Sequence, residues 1–188
     1  MSEARDYGDP ALRMTREEYY AWAEGRRGRY ERIEGVVVAM APERAGHNRA
    51  KVNLQQMLRA AVRDSGLPCE AFGDGMTVQV EDSDYQPDCI VRCGEGRLPS
   101  DSIAVPDPRI VVEVLSPATA RYDRSTKFIE YFRLSTVRHY LIVWPDQPQV
   151  VHHQRTDAGE IETVTVTGGD IRLVPPGLII RVEDIYAP

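Results

Sequence analysis

Apolar positions recur along this chain at two periods. Ala50, Leu54, Met57, Leu58, Ala61 and Val62 fall at helical spacing, with Arg49, Lys51, Gln55, Gln56, Arg59 and Arg63 on the other face. The pattern predicts a helix over residues 47–64, ended by Ser65-Gly66. A shorter helix is predicted to run to about Glu24. There Thr15 and Glu18 make a capping-box spacing ahead of Tyr19, Tyr20 and Trp22, and Gly25 stops it. Residues 30–40 read as a hairpin, with Glu34-Gly35 as its turn and Val36-Val37-Val38 as a β-branched run. A third helix is predicted over 121–134, with Phe128, Ile129 and Phe132 on its apolar face.

Alternating or continuous apolar runs predict strands at 76–80, 87–92, 109–115, 139–144, 149–154, 162–167 and 177–182. Residues 94–108 are rich in Gly, Pro and Asp and read as a loop, and Pro145-Asp146-Gln147-Pro148 reads as a turn. The sum is an α/β (α+β) fold: a mixed central β-sheet flanked by two main helices.

Length and composition set bounds on this picture. A chain of 188 residues fits one domain, taken here as residues 14–188 after a flexible leader at 1–13. With 42% hydrophobic and 28% charged residues, the chain is not a disordered one. Its longest apolar run, around Val36 to Ala41, falls far short of the roughly 20 residues a membrane helix needs, so no membrane partner is expected. The N-terminus has no apolar secretory segment. Cys69, Cys89 and Cys93 are odd in number and lack framework spacing, which points to free or buried thiols and a reducing, cytoplasmic setting. A zinc site joining Cys89 and Cys93 to His152 and His153 does not match a common zinc spacing. The net charge of -6 argues against strong nonspecific binding to nucleic acid, but it is compatible with an acidic active site that works with a divalent cation.

Candidate chemistry begins at Glu113. In the run 109–115, Val111, Glu113 and Leu115 face one way while Ile110, Val112 and Val114 face the other. A strand apolar on both faces is a central one. A carboxylate there is costly unless it is paired or holds metal, so the readings are a structural ion pair or a metal ligand. Asp88, after Pro87, is either a turn residue or a second carboxylate for a hard cation such as Mg²⁺ or Mn²⁺. Asp123, Lys127 and Tyr131 share a helix face. Lys127 is either half of a surface pair with Asp123 or a cation aimed at Glu113, where it would orient water and offset phosphate charge. His47 lies in the first turn of its helix, where a solvated residue is the commoner case. Of Glu31 and Glu34, one could turn toward the same site, and Glu34 is more simply a turn residue.

These pieces occur in a characteristic order: Thr15-Arg16-Glu17-Glu18-Tyr19, Arg29-Tyr30-Glu31-Arg32-Ile33-Glu34-Gly35, Gly46-His47-Asn48, Pro87-Asp88, Val112-Glu113-Val114-Leu115-Ser116-Pro117, Tyr122-Asp123-x₃-Lys127-x₃-Tyr131 and His139-Tyr140-Leu141-Ile142-Val143-Trp144. The set resembles the Uma-two family of restriction endonucleases, a branch of the PD-(D/E)XK nuclease superfamily, from about Met14 to the C-terminus. The resemblance implies a restriction-endonuclease-like core and a metal-dependent endonuclease acting on DNA. It implies Asp88 and Glu113 as metal ligands for Mg²⁺ or Mn²⁺, and Asp88, Glu113, Lys127 and Glu31 as catalytic residues. His47, Asp123 and Tyr131 are accessory positions. The superfamily's lysine would fall at Leu115, so the resemblance implies that Lys127 takes its place. Where the family often has Leu and Asp, this chain has Arg32 and Glu34, and Gln86 replaces an Arg before Pro-Asp. A homodimer is expected, because duplex DNA has two strands to cut. The alternatives are an inactive nucleic-acid- or partner-binding module of the same fold, and a small-substrate phosphodiesterase.

Overall fold

The computed structural model of the chain describes residues 12–115 and 126–187. Helix α1 (Arg16–Ala23) starts at Thr15, whose hydroxyl accepts from the Glu18 amide while the Glu18 carboxylate takes the Thr15 amide. Both halves of the capping box are therefore formed. Strands β1 (Tyr30–Ile33) and β2 (Val36–Ala39) make the hairpin. Its turn needs positive φ at both central positions, and Glu34 (48°) and Gly35 (80°) supply it. Of the leader expected over 1–13, residues 1–11 lie outside the described residues. Leu12 and Arg13 pair with β2.

Helix α2 (Ala45–Ser65) spans the predicted segment and ends at Gly66 in the left-handed conformation. Strands β3 (Cys69–Gly73), β4 (Val78–Val80), β5 (Ser83–Tyr85), β6 (Cys89–Cys93) and β7 (Pro108–Val114) follow. Helix α3 (Phe128–Arg133) occupies the later part of the predicted 121–134, of which residues 121–125 lie outside the described residues. Strands β8 (His139–Val143), β9 (Val150–Arg155), β10 (Ile161–Val166), β11 (Asp170–Leu173) and β12 (Leu178–Arg181) lead to helix α4 (Val182–Ile185).

The central sheet is mixed and six-stranded, in the order β10-β9-β8-β7-β6-β3. Only β7 and β8 run parallel, joined by the crossover that carries α3. The expected mixed sheet between helices is present, but the chain also builds a second sheet, β2-β1-β5-β4, and a small one, β11-β12. The predicted 76–80 strand belongs to the second sheet. Strand β5 was not foreseen because its three residues include Asp84, which is fully buried by charge pairing rather than by apolar character.

The two faces of β7 feed two cores. Ile110, Val112 and Val114 pack with Leu54 and Leu58 of α2 and with the β11–β12 and α4 residues Leu173, Leu178 and Ile185. Val111 and Leu115 pack with Tyr131 of α3 and with Val78, Val80 and Tyr85 of the second sheet. Each fully buried aliphatic side chain contributes roughly 1.5–3 kcal/mol, so this double-sided burial anchors β7 rigidly at the centre. Ile129 departs from the predicted apolar face and is 56% exposed, whereas Phe128 and Phe132 pack inward.

Two cysteines depart from the expectation of thiols: Cys69 and Cys93 form a disulfide. They stand opposite each other in the β3–β6 register, which their spacing of 24 residues does not reveal. Cys89 is a buried free thiol. With Cys93 committed, the zinc grouping does not form: His152 instead meets His139, and His153 meets Thr163.

Candidate functional site

The site gathers at the ends of β6 and β7, between α2, α3 and the β1 strand. In the antiparallel register Cys89 opposes Val112, which places Asp88 beside Glu113. The Asp88 amide donates to the Val112 carbonyl (3.0 Å), and Asp88 Oδ2 accepts from the Val114 amide (2.7 Å). Asp88 is therefore locked to the strand rather than free in a turn. Burial raises its pKa, against the opposing pull of His47, the Val114 amide and Lys51.

Glu113 is held by partners of its own. Lys127 Nζ lies 2.9 Å from Glu113 Oε1 and 2.9 Å from Glu31 Oε1. Tyr131 donates its hydroxyl to Glu113 Oε1 at 2.8 Å. Burial also pushes the Tyr131 phenol well above its ordinary pKa, so it stays a donor. Glu31 accepts the Gln86 amide at 2.9 Å. The Lys127 ammonium also stands 5.5 Å from the centre of the Tyr85 ring, within cation–π range. Glu31, Asp88, Glu113 and Lys127 are all less than 8% exposed: 7%, 4%, 4% and 3%.

The structure thus brings together Glu31, Asp88, Glu113, Lys127, Tyr131 and His47. Glu34 remains in the hairpin turn, its amide donating to Ser83 Oγ. Asp123 lies outside the described residues. His47 is drawn inward rather than solvated, with Nε2 2.9 Å from the Val114 carbonyl oxygen.

A second group escaped the sequence reading. Lys51, assigned to the polar face of its helix, is 4% exposed, bonded to Glu43 and 3.0 Å from Asp74 Oδ2. Burial disfavours its charge, but Glu43 and Asp74 outweigh that and raise its pKa. Arg29 Nη1 reaches the same two carboxylates at 2.9 and 3.0 Å. Gln55 donates to the Asp88 carbonyl at 3.1 Å. The signal that finds these residues is a stripe: His47, Lys51 and Gln55 sit at i, i+4 and i+8 on α2.

The donor chemistry suits a hard divalent cation. The inner site gathers three buried carboxylates, Glu31, Asp88 and Glu113, and burying carboxylate charge is costly unless cations offset it. Carboxylate and carbonyl oxygens are the ligands Mg²⁺ and Mn²⁺ prefer. Glu43, His47 and Asp88 also bring one ligand atom each to within 4.8 Å of one another.

The chain is similar to known proteins in sequence and in fold. A family model named Uma2 and described as "Putative restriction endonuclease" matches residues 16–183. Two proteins of Synechocystis sp. are similar. "Uncharacterized protein slr1290" is 28% identical over 94% of this chain and 93% of its own length. "Uncharacterized protein sll1609" is 29% identical over 76% and 81%. Among solved structures, "a putative nuclease belonging to DUF820" from Anabaena variabilis superposes with a TM-score of 0.73. It covers 92% of this chain and 97% of that one at 16% identity, a likeness of fold.

Proposed function

The chain belongs to the Uma2 family of restriction-endonuclease-like proteins, and from that premise we propose that it is a metal-dependent endonuclease hydrolysing phosphodiester bonds in DNA. The observation that carries the reading is the placement of Lys127. The position two residues after Glu113 is Leu115, a core residue at 4% exposure. Lys127 comes from the next helix instead, and its ammonium touches both Glu113 and Glu31. A lysine held this way is costly as mere structure and apt as chemistry.

Asp88 and Glu113 would hold the cation, Mg²⁺ or Mn²⁺, with the Val114 carbonyl beside them. Bound there, the cation would lower the pKa of a water and offset charge on the phosphate. Lys127 orients the attacking water and counters the charge that develops on the phosphate. Glu31 fixes the Lys127 ammonium from the far side. Tyr131, kept protonated, holds Glu113 Oε1 in place. No helix among the described residues is long and apolar enough to cross a membrane.

The test begins with metal rather than DNA, since the right DNA is undefined. Mn²⁺ is titrated by calorimetry into wild type and an Asp88→Ala/Glu113→Ala variant. Binding lost in the variant is expected, and binding retained there would overturn the assignment. Cleavage of duplex DNA is then compared with that of a chromogenic phosphodiester, and preference for the small ester would redirect the substrate. No Mn²⁺ binding by wild type, even at millimolar metal, would favour a binding module, which needs no carboxylate metal site.

A further inference from the structure

His47 stands between two carboxylates. Its Nε2 lies 2.9 Å from the Val114 carbonyl oxygen and 3.6 Å from Asp88 Oδ2. Its Nδ1 faces Glu43 Oε2 at 3.7 Å. That nitrogen is buried and has no hydrogen-bond partner among the described residues. A neutral imidazole carries one N–H and one lone pair. With the proton on Nε2, the Nδ1 lone pair confronts Glu43. With the proton on Nδ1, the Nε2 lone pair confronts two oxygens. Either neutral tautomer sets a lone pair against oxygen, whereas a second proton or a cation bound on Nε2 removes that conflict.

We propose that His47 Nε2 is a ligand of the divalent cation, completing a donor set with Asp88 Oδ2 and the Val114 carbonyl, and that Glu43 orients its ring. The inference rests on the carboxylate metal site proposed above and adds a nitrogen donor to it. Neighbouring donors around an octahedral ion lie about 3 Å apart when each stands about 2.1 Å from it. The separations from Nε2, 2.9 and 3.6 Å, need only small adjustment to meet that spacing. A cation at Nε2 leaves the proton on Nδ1, where it is offered to Glu43. An imidazole that ligates metal through one nitrogen and gives its other N–H to a carboxylate is the usual arrangement.

Glu43 fits the orienting role better than ligation. Lys51 and Arg29 already hold its Oε1, and Asn48 Nδ2 donates to its Oε2 at 3.2 Å. The three residues that converge within 4.8 Å thus divide into two ligands and one orienting group. The nitrogen donor also bears on metal choice. Mg²⁺ favours an all-oxygen shell, and imidazole shifts a site toward first-row transition ions. The nitrogen donor therefore favours Mn²⁺, or an ion further along that series, over Mg²⁺ at this site.

The test reads the nitrogen directly. Mn²⁺ is added to the full-length protein, and electron spin echo modulation detects any ¹⁴N bound to it, with affinity measured by calorimetry. Wild type is expected to show imidazole ¹⁴N modulation, lost in His47→Gln with a fall in Mn²⁺ affinity of about 10- to 100-fold. Mg²⁺ affinity falls less, so the Mn²⁺ preference shrinks. Glu43→Gln is expected to keep the nitrogen signal and bind about tenfold more weakly. Mn²⁺ that binds through Asp88 and Glu113 with no nitrogen signal would overturn the role of His47 and leave the carboxylate site standing. A wild type that binds no Mn²⁺ would overturn both. The wild-type spectrum decides the question even where a variant fails to fold.

Discussion

Lys127 Nζ and Glu113 Oε1 stand 2.9 Å apart, although 14 positions of chain separate the residues and each comes from a different element. β7 holds Glu113 at the centre of the sheet, and the start of α3 delivers Lys127 from above it. This pair joins the acidic strand of the site to its cation.

Removing the cation should expose the cost of the carboxylates around it. In Lys127→Met, Glu31 and Glu113 remain buried with their ammonium gone. A loss of about 3–5 kcal/mol is expected in denaturant unfolding, as for one partner removed from a buried ion pair. Cleavage should fall by about 10²-fold or more. Adding Glu31→Gln should recover part of the stability and none of the activity. Wild-type stability in the single variant would show that solvent reaches the pair.

Asp88→Asn should separate stability from metal binding. Burial raises the Asp88 pKa, so its ionised form at pH 7 burdens the folded state. The sign follows: the unfolded carboxyl loses its proton near 3.8 and the folded one higher, so the group's contribution to stability falls as pH rises. Asparagine carries no charge and can still accept the Val114 amide. The metal-free variant should therefore unfold at higher denaturant concentration than wild type at pH 7. Its Mn²⁺ affinity should drop at least about tenfold.

Acid should loosen the protein through its histidines. His139, His152 and His153 each titrate near 4 rather than 6.5, because burial opposes their charge. His139 Nδ1 meets His152 Nε2 at 2.9 Å, and His139 Nε2 donates to the Pro175 carbonyl at 2.8 Å. Above pH 6.5 these rings are neutral in both states and the stability is fully present. Between about 6.5 and 4 the unfolded chain takes up protons that the folded one refuses, so stability falls, by about 1.4 kcal/mol for each unit of pKa difference. Unfolding midpoints at pH 7.5, 5.5 and 4.5 check this. His153→Gln should lower the proton uptake by about one.

Arg32 and Asp84 form a buried pair at 2.7 Å, with side chains 1% and 0% exposed. Arg16 and Tyr20 share the other carboxylate oxygen at 2.8 Å each. Arg32→Leu should cost about 3 kcal/mol or more, since Asp84 stays buried with too little compensation. Adding Asp84→Asn should return much of that loss. Thermal unfolding of the single and double variants measures the coupling.

Some of this protein could be read from its sequence because the governing physics is local. The α1 capping box depends on two side chains three residues apart, and the hairpin turn depends on which residues accept positive φ. The apolar face of α2 and the two apolar faces of β7 follow from side-chain periodicity alone. Glu113 stood out for the same reason: one carboxylate interrupts a strand that is apolar on both faces.

What the sequence left open depends on which distant segments touch. The Cys69–Cys93 bond follows from the β3–β6 register, and β5 exists because Arg32 and Arg16 neutralise Asp84 from other elements. Lys51 reads as a surface lysine until Glu43, Asp74 and the strand end close over it. The sequence by itself predicted α1, α2 and most strands and singled out Asp88 and Glu113 as candidates, because spacing and burial cost act along the chain; α4 lay outside that reading. The tertiary structure alone decided that Glu31, Lys127 and Glu113 meet and that His47 faces the Val114 carbonyl, because those contacts exist only once the sheet's register brings the segments together.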